Sequence, residues 1–164
     1  NSHFNNTVIC RRWEQNANID RQNNSIHLIM NTEYTLPQNL PIVDQVITQS
    51  MIIGYSKVSN DFNPIHLDST FAIEAGFDTT IAHGMMVLSY ISEMMTVAFG
   101  TKWTSTGQLK VKFRSPVFSG GSIKTFGELL RTSKDNNLNK AFYKVGINNK
   151  NGDLVITGEA TICY

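Results

Sequence analysis

The chain has 164 residues, of which 41% are hydrophobic, 10% aromatic and only 16% charged, against a usual charged share of about 25%. Fourteen basic against thirteen acidic residues leave a net charge of +1, which supplies no general field for nucleic acid or an anionic membrane. This composition excludes collagen, coiled-coil and disulfide-scaffold architectures, and the length suits one ordinary domain with its own apolar core.

The start, Asn1-Ser2-His3-Phe4, has no cationic segment followed by an apolar run, so no signal peptide is read there. It also lacks an initiator Met, as expected of a processed, truncated or excised chain. Cys10 and Cys163 lie near opposite ends with no C-x-x-C spacing. They are expected as reduced thiols of a cytosol-like compartment, a terminal staple being the alternative. Residues 1–35 form an N-terminal segment of unassigned structure, Asn-rich to about residue 24, with a candidate strand at Ser25–Met30. Residues 36–164 read as the folded domain. Tyr34–Pro41, with two prolines, is expected to be an extended connector.

Two helices follow from the pattern. Asp68 suits an N-cap, Ser69–Ala75 the body and Gly76 the stop. The second runs from Gly84 to Phe99. Its polar members Ser89, Ser92, Glu93 and Thr96 make one narrow stripe, so the helix should be wrapped by other structure. The same window is too short and too polar to span a bilayer. Four strand-like segments come next. Gln108–Arg114 alternates, with Leu109, Val111 and Phe113 on one face. Ser122–Leu130 follows a Gly-Gly turn, and Lys134–Asn139 reads as a loop. Ala141, Tyr143, Val145 and Ile147 form an inner face, and Asn151-Gly152 turns the chain into Leu154, Ile156, Gly158, Ala160 and Ile162. One buried central helix wrapped by a curved antiparallel β-sheet is an α+β architecture.

The densest polar cluster is Ser59-Asn60-Asp61-Phe62-Asn63-Pro64-Ile65-His66-Leu67-Asp68. One reading is structural: Asn63-Pro64 is a good N-cap and first-turn pair, with Asp61 supporting the turn and His66 an ordinary histidine. The other is chemical. Asp61 and His66 lie five apart across an Asn-Pro bend, so a carboxylate and an imidazole can converge on one water or proton. The four histidines show no metal-ligand spacing, and nucleophile motifs and phosphate-cradling loops are absent. His83 is expected to hydrogen-bond at the start of the long helix. Gly84 would let a ligand approach free backbone N–H groups there, as in an oxyanion hole.

Residues Tyr55–Asp68, then Phe71-Ala72, Gly76-Phe77, Ile81-Ala82-His83-Gly84-Met85 and Val111–Val117 together resemble the MaoC-like family. These are hot-dog-fold (R)-specific enoyl-CoA hydratases and 3-hydroxyacyl thioester dehydratases. The likeness covers about residues 40–163, with its parts in the family's order. It implies that Asp61 and His66 are the catalytic pair, Asn63 the active-site Asn, and Gly84 the N–H donor facing the thioester oxygen. His83, Met85, Lys112 and Arg114 are the candidates for contact with substrate, although Lys112 and Arg114 also suit a solvated strand face and Met85 a core. Asn60 stands where the family usually has Gly, and a left-handed backbone is expected there.

The resemblance further implies reversible hydration of trans-2-enoyl thioesters without cofactor or metal, CoA or an acyl carrier protein serving as substrate carrier. Single units of the family pair, so a homodimer is expected, with no nucleic-acid or membrane partner. The implied location is cytoplasmic, or an organelle matrix if the chain is processed. Two alternatives stand beside it: a hot-dog acyl thioesterase and a non-catalytic acyl-binding module.

Overall fold

The longest apolar stretch of the sequence is the helix α4 (Gly84–Phe99), and the computed structural model shows what covers it. The structure describes residues 35–135 and 138–164, and Leu36–Tyr164 make one compact unit. In chain order the elements are β1 (Asp44–Val46), α1 (Gln49–Ser59), α2 (Pro64–Leu67), α3 (Ser69–Glu74), α4, α5 (Thr101–Thr106), β2 (Gln108–Phe113), β3 (Ser122–Asp135), β4 (Leu138–Asn149) and β5 (Leu154–Cys163). The strands form one antiparallel sheet in the order β1-β3-β4-β5-β2. The expected strand at Ser25–Met30 lies outside the described residues.

Alternation builds the core. Ala141, Tyr143, Val145 and Ile147 of β4 are all buried, as are Ile156, Ala160 and Ile162 of β5. Against β3 and β4 packs α4, burying Met86, Val87, Ile91, Met94, Met95 and Phe99. Ser89, Glu93 and Thr96 face outward as their stripe requires, and Met85 and Val97 join them in solvent at 61% and 66% exposure. The sheet therefore covers one side of the helix. Asp68 caps α3 through its carboxylate, which accepts from the N–H groups of Thr70 and Phe71, and Gly76 turns the chain at φ 92°.

Several expectations need correction. Helices form at Gln49–Ser59 and Thr101–Thr106 where the sequence pattern predicts none, because neither stretch carries a sustained 3.6-residue pattern. Tertiary anchors hold them instead: Ile52 is fully buried, and buried Trp103 donates its indole N–H to Ser92 Oγ at 2.9 Å. Lys134–Asn139 is largely strand, since β3 and β4 stay paired out to Asp135 and Leu138. That pairing is a backbone ladder along a mostly polar stretch, which leaves no apolar alternation to read. A register shift next to Leu154 explains why that residue is exposed while Val155 is buried. Cys163 is disulfide-bonded rather than a free thiol; the other cysteine, Cys10, lies outside the described residues.

Gly158 marks a close approach of β5 to β2. A Cβ there would fall on the Lys110 carbonyl oxygen and 2.8 Å from Val111 Cα, both backbone atoms that cannot step aside. Gly158→Ala should therefore lower stability by about 1–3 kcal/mol, read as a reduced urea midpoint at unchanged slope.

Candidate active site

The site begins where α1 stops. Asn60 ends that helix in the left-handed region (φ 56°, ψ 30°), as expected from its place in the sequence. It is the one non-glycine residue with positive φ among those described. Asn tolerates this conformation best after Gly. Asp61 follows with an exposed side chain whose Oδ1 accepts from the Asn63 N–H at 3.2 Å. Asn63 Oδ1 in turn accepts from the Ile65 N–H at 3.2 Å and caps α2, with Pro64 in its first turn. The two side chains so build the turn with one oxygen each. The second Asp61 oxygen and the Asn63 amide nitrogen are not used in it.

His66 comes from α2 with 7% exposure and is fixed at three points. Its N–H donates to Asn63 O (3.0 Å), its carbonyl accepts from Gln49 Nε2 (2.9 Å), and its ring Nδ1 lies 2.8 Å from Ile81 O. A carbonyl oxygen only accepts, so Nδ1 carries the hydrogen and the neutral ring presents a lone pair at Nε2. Buried Thr80 donates to Gln49 Oε1 at 2.6 Å, which holds the Gln49 amide in its donating orientation toward His66. Ile81 is itself pinned, its N–H donating to Ile65 O.

The segment 80–82 is stitched to residues 117–119. Ala82 N donates to Val117 O (2.7 Å), Ser119 N donates to Thr80 O (2.9 Å), and Ile81 bridges Phe118. Next along the chain, His83 is 3% exposed, lies 3.8 Å from the His66 ring centre to centre at 27°, and donates its Nε2–H to the Asp61 carbonyl at 3.0 Å. Gly84 then opens α4, where the first backbone N–H groups have no intrahelical acceptor. A Cβ on Gly84 would sit 3.2 Å from the Phe113 ring, so the missing side chain also makes room for that wall.

A pocket of about 370 Å³ gathers His66, Gly84 and Arg114 among walls that include Val87, Phe113 and Val117. Of the other expected residues, Asp61 and Asn63 stay outside its lining, and Asp61 reaches the site beside the two histidines. Their three donor atoms lie within 4.8 Å of one another. His83 lies behind His66 and does not line the pocket. Exposed Lys112 and Met85 do not line it either. A second cavity, of about 450 Å³, lies across Ser115–Val117, which walls both. Burial, and then the Glu93 carboxylate, push the Tyr90 phenol above its ordinary pKa, keeping it protonated away from the pocket.

The family model described as the MaoC-like domain matches residues 32–149. The chain belongs to the MaoC-like family. Among its relatives is the mitochondrial 3-hydroxyacyl-[acyl-carrier-protein] dehydratase of Arabidopsis thaliana, 35% identical over 120 residues, covering 71% of this chain and 70% of the relative. Another is the (R)-specific enoyl-CoA hydratase of Aeromonas caviae, 30% identical over 111 residues, covering 68% of this chain and 81% of that one. The solved (R)-hydratase of A. caviae superposes with a TM-score of 0.67 at 24% identity, over 80% of this chain and 97% of that one. The fold is therefore the hot-dog architecture of the R-hydratases, in the α+β class.

In this MaoC-like site, Asp61, His66 and His83 invite comparison with a metal centre. A metal must lie in the plane of each ligating ring, about 2.0–2.1 Å from its nitrogen. Two rings lying nearly face to face aim their lone pairs side by side, and His83 Nε2 is already donating. The cluster suits proton transfer. Gln49, Thr80 and the Ile81 carbonyl give no signal in the sequence, because an isolated Gln, Thr or backbone oxygen carries no motif.

The left-handed turn at Asn60 gives a direct test. Asn60→Gly should leave stability within about 0.5 kcal/mol, while Asn60→Ala should cost roughly 1–2 kcal/mol, measured by denaturant unfolding.

Proposed function

We propose that the protein adds water reversibly across trans-2-enoyl thioesters to give (R)-3-hydroxyacyl thioesters, or runs the reverse dehydration. Named relatives of both directions support this reading, and such enzymes are hydro-lyases. The observation that carries it is the Nδ1–H to Ile81 bond, which leaves a lone pair on Nε2 of His66, a residue that lines the same pocket as Gly84. As a carboxylate and as an Nδ1–H imidazole, Asp61 and His66 are both acceptors. A water can donate one O–H to each, leaving its oxygen lone pair for C3 of the enoyl group.

The proton balance follows. In that state neither partner carries a transferable proton, since the His66 Nδ1–H is held by a carbonyl. The proton taken from water by Asp61 or His66 is therefore the one returned to C2. Oxygen and proton arrive from the same face, so addition is syn. Negative charge that develops on the thioester oxygen would meet the Gly84 N–H, an interaction whose loss commonly costs about 3 kcal/mol in the barrier. Asn63 would orient the acyl group through its remaining amide nitrogen. Arg114, at the pocket wall, and Lys112 would meet carrier phosphates. Met85 belongs to the approach from solvent. The chemistry assigned here uses no cofactor, the carrier being CoA or an acyl carrier protein.

The edge strands of the sheet are β1, of three residues, and β2, of six. We assign β2 as the edge against which a second copy pairs, which would bring the partner beside Phe113 and the pocket mouth. Sedimentation should then show a homodimer, and a monomer at micromolar concentration would remove this assignment. No helix of the described residues is long and apolar enough to cross a membrane. The name of a mitochondrial relative supports a cytoplasmic or organelle-matrix location.

Asp61→Asn keeps the Oδ1 acceptor for Asn63, and His66→Asn keeps a donor for Ile81, so both should fold. Each should slow hydration of a short trans-2-enoyl-CoA by about 10²–10⁴-fold, followed by loss of the conjugated absorbance. Chiral analysis should return the (R) alcohol. Wild-type rates in both variants, an (S) product, release of free thiol, or tight binding without turnover would each defeat the proposal.

A further inference from the structure

We infer that His83 is a positioning residue: it never meets the substrate, and it sets the relative placement of Asp61, His66 and Gly84. The inference rests on the roles proposed for those three residues and adds a fourth part to the same site.

The first argument is burial. His83 is 3% exposed and absent from the pocket lining, so substrate contact is not its task. The second is connectivity. Its Nε2 lies 3.0 Å from the Asp61 carbonyl, and because that oxygen only accepts, the ring holds its hydrogen at Nε2. The bond spans 22 positions of sequence and ties the Asp61 main chain directly to the start of α4. The third is the ring itself. It lies against the His66 imidazole at 3.8 Å and 27°, and against Tyr55 at 5.0 Å and 50°. His66 is thus located in its plane by Ile81 and across its plane by His83. The fourth is the position in the chain, where His83 is the N-cap of α4 and the immediate neighbour of Gly84.

The choice of residue is otherwise hard to explain. Good N-caps are Ser, Thr, Asp and Asn, whose side chains accept from the first turn, whereas His83 makes no side-chain cap bond. Its Nδ1 is buried without a partner among the described residues, which destabilises the fold. Phe would stack without that unpaired atom, and a short polar residue would cap the helix. Only a side chain that combines a flat ring with an N–H at this reach supports His66 and holds Asp61 at once.

The wild-type protein supplies the first test. Nitrogen-15 NMR of the histidine side chains at neutral pH should report an Nε2–H tautomer for His83 and an Nδ1–H tautomer for His66. The opposite tautomer at His83 overturns the inference, whatever the variants do.

Two substitutions then separate the functions. His83→Phe keeps a ring and removes the donor; His83→Gln keeps a donor near the Nε2 position and removes the ring. His83→Phe should lower kcat for a short trans-2-enoyl-CoA by about 10- to 100-fold, with KM within about twofold. His83→Gln should recover part of that loss. In an Asp61→Asn background, His83→Phe should cost much less than it does alone, because it acts through that residue. Unchanged kcat in the folded Phe variant, or a loss confined to KM, overturns the inference. If Asp61→Asn and His66→Asn abolish hydration while His83→Phe does not, only the positioning role falls. If those two variants keep their activity, the parent reading falls.

Discussion

A 2.8 Å bond between one imidazole nitrogen and one backbone carbonyl underlies the proposed chemistry of this fold. The Ile81 oxygen cannot donate, so it decides which His66 nitrogen bears hydrogen and leaves the other as a lone pair. Without that partner the neutral ring could hold either tautomer, and only one of them accepts from a water at Nε2. Much of the local structure keeps the two atoms at this distance. Gln49, itself held by Thr80, fixes the His66 main chain from α1, the Ile65 carbonyl fixes the Ile81 N–H, and the ring of His83 fills the remaining side.

The same logic explains why a short and polar turn can be precise. Asp61 and Asn63 each spend one oxygen on the backbone two residues ahead, so the turn is built by the side chains it presents. Asn60 supplies the left-handed entry. Backbone strain of this kind is stable only where surrounding contacts over-determine it, and here they do so from both flanks, with Ser59 bonded back to Tyr55 and His83 bonded to the Asp61 carbonyl.

How much of this could be read from residue types depends on the range of the interaction. The ends of α4, the Asp68 cap, the stop near Gly76 and the inner face of β4 were legible because each rests on neighbours within one turn or one pleat. The Asn60 conformation was legible for the same reason. Helices α1 and α5 were not, since Ile52 and Trp103 stabilise them through contacts distant in sequence. The far end of the β3–β4 hairpin is a polar ladder with no pattern to betray it. At the site, Asp61, Asn63 and His66 form a local motif, whereas Gln49 enters from 17 residues away and His83 from 22. Long-range partners of a motif leave no trace in its spacing.

The stitching of residues 80–82 onto 117–119 has a consequence for how such a site can change. The carbonyl that sets the His66 tautomer and the N–H that grips Val117 belong to adjacent residues, Ile81 and Ala82, while Ser115–Val117 is the partition between two cavities. In the proposed mechanism, proton chemistry and the shape offered to an acyl group are thus cut from one piece of backbone. A substitution that widens or narrows this partition is then expected to move the imidazole with it, so cavity shape and turnover should change together.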